Sequence, residues 1–383
     1  MSLARLARLP CRGQRLRCMS SLCPLTECGH PIIDVEKLKR GSDAEASALG
    51  AALGDYGYFY AANVEGLSAE YIRSLYAYSG RCHALPAAVK HKYRQRGGTG
   101  VYSGPDIGQP ELQYEAEGAA ARVCGWDYSR ARFSLGDGVT EGDARYPSAA
   151  ELDPPFAAVL DDCYARQDAV ARVLLAGFER ALSVPPRTLL QMFEDGAGDF
   201  GTIRLLHYPG DGGGAGSALA DTTGIGPHTD FECFTLMHQN APGLQLMPRQ
   251  RGGGGHGGWV DAPVRPGEFV VTVGDMLERL TNGVLLATPH RVLPTHHARD
   301  SIIRFNAFAP HTLVAPLRPF VTADRPAAYS PVEMREHMET TMRNLEAGLG
   351  SWDTERQRSR SASYEYNGGE RRVLECEPNT MSQ

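Results

Sequence analysis

Between Pro154 and Leu182 the apolar residues fall at helical spacing. Phe156, Val159, Leu160, Tyr164, Val170, Val173, Leu174, Phe178 and Leu182 share one face, and Pro185-Pro186 stop the run, which predicts the strongest helix of the chain. From Thr202 to His311 the pattern changes to short alternating stretches bounded by glycine and proline. These are Ile203 to Tyr208, Phe231 to His238, Gly243 to Met247, Phe269 to Val273 and Ile302 to Phe308. Strands this short and closely spaced indicate an antiparallel sandwich or barrel, with a jelly roll as the natural candidate. The expected class is α+β, mainly β, with helices flanking the sheet on its N-terminal side.

Upstream, Pro31-Ile32-Ile33-Asp34-Val35 reads as a strand, Asp43 to Tyr56 as an Ala-rich helix and Gly57-Tyr58-Phe59-Tyr60 as a second strand. Ser68 ahead of Tyr71, Leu75 and Tyr78 predicts another helix with Ser68 as its N-cap. Glycines, prolines and charges prevail from Gly97 to Ser148, which predicts mostly loop. The glycine tracts 212–216 and 252–258 read as hairpin loops and not as phosphate cradles, because no helix follows either. The expected organisation is a tail over 1–26, an N-terminal helix and strand region over 27–150 and helical support over 151–200. A jelly-roll catalytic core over 201–320 and a C-terminal helix and tail over 321–383 complete it.

Composition narrows the class. The chain has 383 residues, enough for one large domain or two ordinary ones, with 42% apolar and 22% charged residues. No apolar run of about 18 residues is present, which argues against a membrane span. Net charge is −6 with no basic stripe in the body, so no nucleic-acid partner is expected. Nine cysteines in a chain of this length suit a reducing compartment. The first 26 residues differ from the rest: Arg5, Arg8, Arg12, Arg15 and Arg17 occur with no lysine and no acid before Glu27. Such a stretch has the composition of a transit peptide, with the mitochondrion favoured over plastid or cytoplasm and a disordered basic tail as the plainer reading. Cys18, Cys23 and Cys28 are evenly spaced but lack a matching second half for a zinc site, and they read as incidental.

Three polar groups carry the candidate chemistry: His228-Thr229-Asp230, then His290, then Arg299-Asp300-Ser301. Two imidazoles and one carboxylate form the ligand set that leaves three positions open on ferrous iron. His228 and Asp230 lie two apart on an expected strand, so their side chains would leave one face, and His290 would join them from across the barrel. A His-x-Asp by itself reads equally as a buried polar pair or an exposed turn. Structural or surface roles suit His207, His238, His296 and His297 better. Arg299 and Ser301 again share a strand face, suited to a carboxylate end-on. An inward arginine needs a bound anion or a protein acid, and the upstream triad favours the anion.

These residues resemble the isopenicillin-N-synthase-like, 2-oxoglutarate- and iron(II)-dependent dioxygenases, over roughly Ile32 to Pro310. The likeness is carried by Gly226-Pro227-His228-Thr229-Asp230-Phe231-Glu232-Cys233-Phe234-Thr235-Leu236, then Gly243-Leu244-Gln245-Leu246, Trp259-Val260, Val273-Gly274-Asp275 and Thr281-Asn282-Gly283. His290-Arg291-Val292 and Arg299-x-Ser301 close it, and Pro31-Ile32-Ile33-Asp34 and Gly57-Tyr58-Phe59 match the family's opening segment. The resemblance implies a double-stranded β-helix (jelly roll) core and an iron site at His228, Asp230 and His290. It also implies 2-oxoglutarate at Arg299, Ser301 and Tyr208, with dioxygen as the second co-substrate and no catalytic residue beyond the metal ligands. The implied reaction oxidises, usually hydroxylates, a small organic substrate and releases succinate and carbon dioxide. Two positions depart from the pattern: Leu206 stands where the family has an asparagine, and Arg304 where an apolar residue is usual. The remaining alternatives are an iron oxidase of the same fold that does not use 2-oxoglutarate, and a catalytically idle binding or sensing protein.

Overall fold

In this computed structural model, residues 23–95, 101–108, 123–130, 145–193, 200–210, 224–249 and 256–346 are described, together with four short backbone strands within 352–373. The alternation of the central chain becomes two facing sheets. The larger contains β1 (Ile32–Asp34), β2 (Tyr58–Ala62), β3 (Tyr102–Ser103), β4 (Cys124–Tyr128), β5 (Thr202–Tyr208), β7 (Phe234–Gln239), β10 (Phe269–Val273) and β12 (Arg299–Asn306). Its strand order is β1-β2-β10-β7-β12-β5-β4-β3. The smaller contains β6 (Ile225–His228), β8 (Leu244–Leu246), β9 (Val260–Asp261) and β11 (His290–Val292), in the order β6-β11-β8-β9. Every pairing is antiparallel except β1 with β2. This is the expected jelly-roll sandwich.

Period two decides which residues face which layer. Tyr58, Tyr60, Leu206, Tyr208, Met237, Val270, Ile303 and Phe305 of the large sheet meet Ile225, Leu244, Leu246 and Val292 of the small one, forming the interior of the sandwich. Their neighbours Phe59, Ala61, Ile203, Leu205, Phe234, Leu236, Val271 and Ile302 face outward into a second core under the helices. That layer contains α1 (Val35–Lys39), α2 (Asp43–Asp55), α3 (Ala69–His83), α4 (Ala87–Lys90), α5 (Phe156–Ala181) and α6 (Thr188–Phe193). Phe178 of α5 meets Phe234 at 5.2 Å and Phe59 at 6.4 Å between ring centres, both edge to face. Truncating such a buried phenylalanine to alanine typically costs about 3–5 kcal/mol. α7 (Asp275–Leu280), a small hairpin of β13 (Leu313–Val314) with β14 (Val332–Glu333), and α8 (Met334–Glu346) follow. Among the described residues no helix is long and apolar enough to cross a membrane.

Several local expectations hold. Ser68 caps α3 by accepting the Tyr71 amide, and Ser42 caps α2 in the same way through Glu45. α5 starts at Phe156, not at Pro154, because the paired prolines leave Pro155 as its N-cap. Others need correction. The first strand stops at Asp34, whose carboxylate accepts the Lys37 amide and starts α1 at Val35. The stretch 97–148 is not simply loop, since β4 pairs with β5 over five residues and places Trp126 fully inside the outer core. The end of the basic tail is folded as well: Cys23 and Thr26 are buried, and Leu25 bridges Pro31. Residues 1–22, with the five arginines and Cys18, lie outside the described residues, as does the glycine tract 212–216. The second tract is described only from His256, which forms an isolated bridge to Arg249. The described cysteines, Cys23, Cys28, Cys82, Cys124, Cys163 and Cys233, are free thiols.

Candidate active site

His228 ends β6 and His290 begins β11, and the two are direct partners across that ladder. Their rings stand 4.1 Å apart between centres. Asp230 departs from the expectation of a shared strand face: β6 stops at His228, and Asp230 lies in the turn leading to β7. The turn still brings the carboxylate back, with Asp230 Oδ1 at 3.8 Å from His228 Nε2 and 3.6 Å from His290 Nε2. The three donor atoms lie within 4.8 Å of one another.

The outer atoms of these ligands are already engaged. His228 Nδ1 lies 2.9 Å from the Gly226 carbonyl, and His290 Nδ1 lies 3.1 Å from that of Thr288. A carbonyl can only accept, so each Nδ1 carries the proton and each Nε2 offers its lone pair inward. Thr235 donates to Asp230 Oδ2 at 2.5 Å, leaving Oδ1 for the centre. Burial, followed by the neighbouring His290, lowers the His228 pKa to about 4, which keeps the ring neutral and free to ligate. This donor set fits a ferrous ion.

The second cluster sits on the inner face of β12. Arg299 is the ladder partner of Tyr208 on β5, and its guanidinium carbon lies 4.7 Å from the centre of the Tyr208 ring. Arg299 is 2% exposed, yet no carboxylate pairs with it among the described residues. Its Nη2 donates to Gln239 Oε1 at 2.9 Å and its Nε to the Ala241 carbonyl at 3.3 Å. Nη1 and the buried Ser301 hydroxyl have no hydrogen-bond partner. The Tyr208 hydroxyl faces both; burial raises its pKa, and Arg299 and Ser301 only partly offset that rise. A buried cation with an open donor and no counter-charge calls for an anion.

Both clusters line one cleft, partly open to solvent, whose remaining walls include Ile225, Met237, Leu244, Val292, Ile303 and Phe305. Arg304 points the other way, as alternation requires, with its guanidinium 3.7 Å from the centre of the Tyr164 ring in α5. Leu206 lies inside the sandwich beside Tyr208 and contributes apolar surface in place of an amide. Of the other histidines singled out in the sequence, His238 shares a hydrogen bond with the Tyr76 hydroxyl at 2.8 Å, His207 pairs with Asp300 on the outer face at 2.7 Å, and His296 and His297 are exposed.

Several site residues are missing from the sequence reading. Thr235 and Gln239 are legible as positions within a strand, but nothing local ties them to Asp230 and Arg299. Asp127 of β4 forms a two-pronged ion pair with Arg204 at 2.6 and 2.7 Å, and Gln95 adds a 3.0 Å hydrogen bond. That pair adjoins Phe305 at the cleft wall, and it is hidden in the sequence because its strand lies in a stretch that reads as loop. Glu232 is also buried, and desolvation followed by the charge of Asp230 raises its pKa well above the usual carboxylate range.

Two family models match this chain. The 2OG-Fe(II) oxygenase superfamily covers residues 201–307, and the non-haem dioxygenase in morphine synthesis N-terminal model covers 30–113. The chain is 31% identical over 306 residues to the 2-oxoglutarate-dependent dioxygenase imqE of Aspergillus flavus, an alignment spanning 71% of this chain and 81% of that protein. The chain belongs to the 2OG-Fe(II) oxygenase superfamily.

It is also 29% identical to homoarginine-6-hydroxylase 2-ODD-C23.1 of Arabidopsis thaliana, over 69% of this chain and 79% of that one. Its fold is similar to that of a full-length Neurospora crassa protein solved in complex with alpha-KG and thymine, with a TM-score of 0.70 at 19% identity, covering 85% of this chain and 99% of that one. JOX2 in complex with 2OG, Fe and JA gives a TM-score of 0.63 at 20% identity, covering 83% and 86%. The protein is therefore an oxidoreductase, an iron(II)- and 2-oxoglutarate-dependent dioxygenase with dioxygen as co-substrate. Membership supports use of 2-oxoglutarate over the oxidase and idle-site alternatives.

Proposed function

We propose that His228 Nε2, Asp230 Oδ1 and His290 Nε2 hold the ferrous ion and that Arg299, Ser301 and Tyr208 hold the distal carboxylate of 2-oxoglutarate. The primary substrate is a small organic molecule that is hydroxylated at a C–H bond: substrate, dioxygen and 2-oxoglutarate give hydroxylated product, succinate and carbon dioxide. The observation that carries this reading is the uncompensated Arg299 with the open Ser301 hydroxyl, lining the same cleft as the three-donor cluster.

Bound iron supplies dioxygen activation and the oxidative decarboxylation of the co-substrate. The residues of the chain do the rest. The Gly226 and Thr288 carbonyls fix both imidazole tautomers, and Thr235 fixes which carboxylate oxygen faces inward. Arg299 and Ser301 anchor one end of the diacid so that its 2-oxo end reaches the metal ligands. Met237, Leu244, Ile303 and Phe305 line the space between with apolar surface, which lowers the local dielectric and strengthens each of these polar contacts. The Arg204–Asp127 pair completes the wall beside Phe305 as a mutually compensated ion pair.

The test is succinate release in the presence of iron(II) and 2-oxoglutarate, with metal content measured in parallel. Asp230→Ala should lose both metal and turnover. Full iron occupancy with normal turnover in that variant would sink the assignment. We further infer that the arginine-rich, acid-free start of the chain directs it to the mitochondrion. Burial of Cys23 and Thr26 favours processing ahead of Cys23.

A further inference from the structure

Gln239 closes β7 and is the ladder partner of Ser301, so it shares the inner face and stands diagonally beside Arg299. It is 5% exposed, and both ends of its amide are committed. Its Oε1 accepts from Arg299 Nη2 at 2.9 Å, while its Nε2 donates to the Ala262 carbonyl at 2.7 Å. A guanidinium only donates and a carbonyl only accepts, so these partners leave the amide one orientation.

Arg299 is thereby boxed in. Gln239 holds Nη2, the Ala241 carbonyl holds Nε, and the Tyr208 ring covers one face of the guanidinium. Gly243 closes the remaining side: with φ at +136°, any Cβ there would lie 3.4 Å from Arg299 Cδ and 3.2 Å from Thr295 Cγ2. An arginine side chain has several rotatable bonds, and unheld it could retreat by a methylene length at little cost. Held this way, it cannot.

We propose that Gln239 is a positioning residue that sets which 2-oxo diacid the site accepts, by fixing the reach between the metal ligands and the Arg299 cation. The fixed span suits the five-carbon 2-oxoglutarate and rejects the six-carbon 2-oxoadipate. The inference rests on the reading of Arg299 given above. Gln239→Leu keeps the bulk but removes the acceptor, which frees the guanidinium to swing. The affinity for 2-oxoglutarate should then fall about tenfold, the worth of one hydrogen bond to a charged group. 2-Oxoadipate should lose far less, so the ratio of the two dissociation constants narrows. Gln239→Glu keeps an acceptor on Nη2 but offsets the positive charge, so it should weaken both acids alike and leave their ratio near that of the unmodified protein.

The experiment is titration calorimetry of both acids on the full chain loaded with Mn(II), which binds without turning over. Mn(II) affinity and thermal melting serve as folding controls. A ratio narrowed severalfold in Gln239→Leu and retained in Gln239→Glu supports the proposal. A folded Gln239→Leu protein whose ratio stays within about twofold of the unmodified one overturns it. If Gln239→Leu does not fold, Gln239→Asn, which keeps the amide but cannot reach Arg299, is judged by the same criterion. Arg299→Gln separates the two levels of the argument. If that change leaves 2-oxoglutarate binding intact, the reading of Arg299 fails and this inference with it. If it abolishes binding while the ratio in Gln239→Leu is unmoved, only the role of Gln239 falls.

Discussion

Replacing Arg299 by lysine preserves the charge and tests the geometry alone. The guanidinium donates from Nη2 to Gln239 and from Nε to the Ala241 carbonyl while still presenting Nη1 to the cleft. A lysine ammonium has to make every contact from one atom at the end of a flexible stem. Drawn toward Gln239 it leaves the diacid, and drawn toward the diacid it strands Gln239 Oε1 in a buried place. It also loses the flat contact with the Tyr208 ring at 4.7 Å. One hydrogen bond to a charged group is worth about 1.5–3 kcal/mol, so KM for 2-oxoglutarate should rise about tenfold to a hundredfold. The site is 2% exposed at Arg299, so solvent gives little relief. Iron affinity should change less than about twofold, because none of the three metal ligands touches Arg299 in these contacts. The assay is succinate formation against 2-oxoglutarate concentration at saturating iron, with a separate metal titration. A KM within about twofold of the unmodified protein would show that the diacid is not held here.

Thr235→Val removes the hydroxyl that donates to Asp230 Oδ2 while keeping the shape, so iron affinity should drop about tenfold to a hundredfold in a competition titration; unchanged affinity refutes the role. Burial lowers the pKa of His238 to about 4 and that of His337 to about 3, against an unfolded value near 6.5. The unfolded chain therefore takes up protons that the fold refuses, so this stability is full above about pH 6.5 and is lost as pH falls toward 4. For His238 the loss approaches about 3 kcal/mol, and a urea midpoint that stays flat from about pH 7.5 to 5 would contradict it. A fluorescent protein carrying residues 1–26 should enter mitochondria and lose its leader, as judged by microscopy and N-terminal sequencing; a cytosolic fusion with an intact start would make the stretch an ordinary basic tail.

Much of the site can be read one residue at a time. The face of α5 from Phe156 to Phe178 follows from its 3.6 period, because a helix against a sheet must bury one stripe. Arg299 and Ser301 share the inner face of β12 for the corresponding reason at period two, and the same rule turns Arg304 toward α5. The motif series alone puts His228, Asp230 and His290 in one group.

What local pattern does not supply is the choice of partner. Asp230 reaches the histidines from a turn, not from the strand face, because β6 ends at His228 and the chain folds back into β7. β4 reads as loop because its stretch is rich in glycine and charge. It is a strand because β5 offers it a ladder and α5 covers Trp126. Gln239 lies 60 residues from the Arg299 that it orients. Periodicity records only which face an element buries, a cost each segment meets alone. Pairing across strands joins distant segments through loop closure and packing of the whole sandwich, so the contacts that aim Arg299 and Asp230 exist only in the tertiary structure.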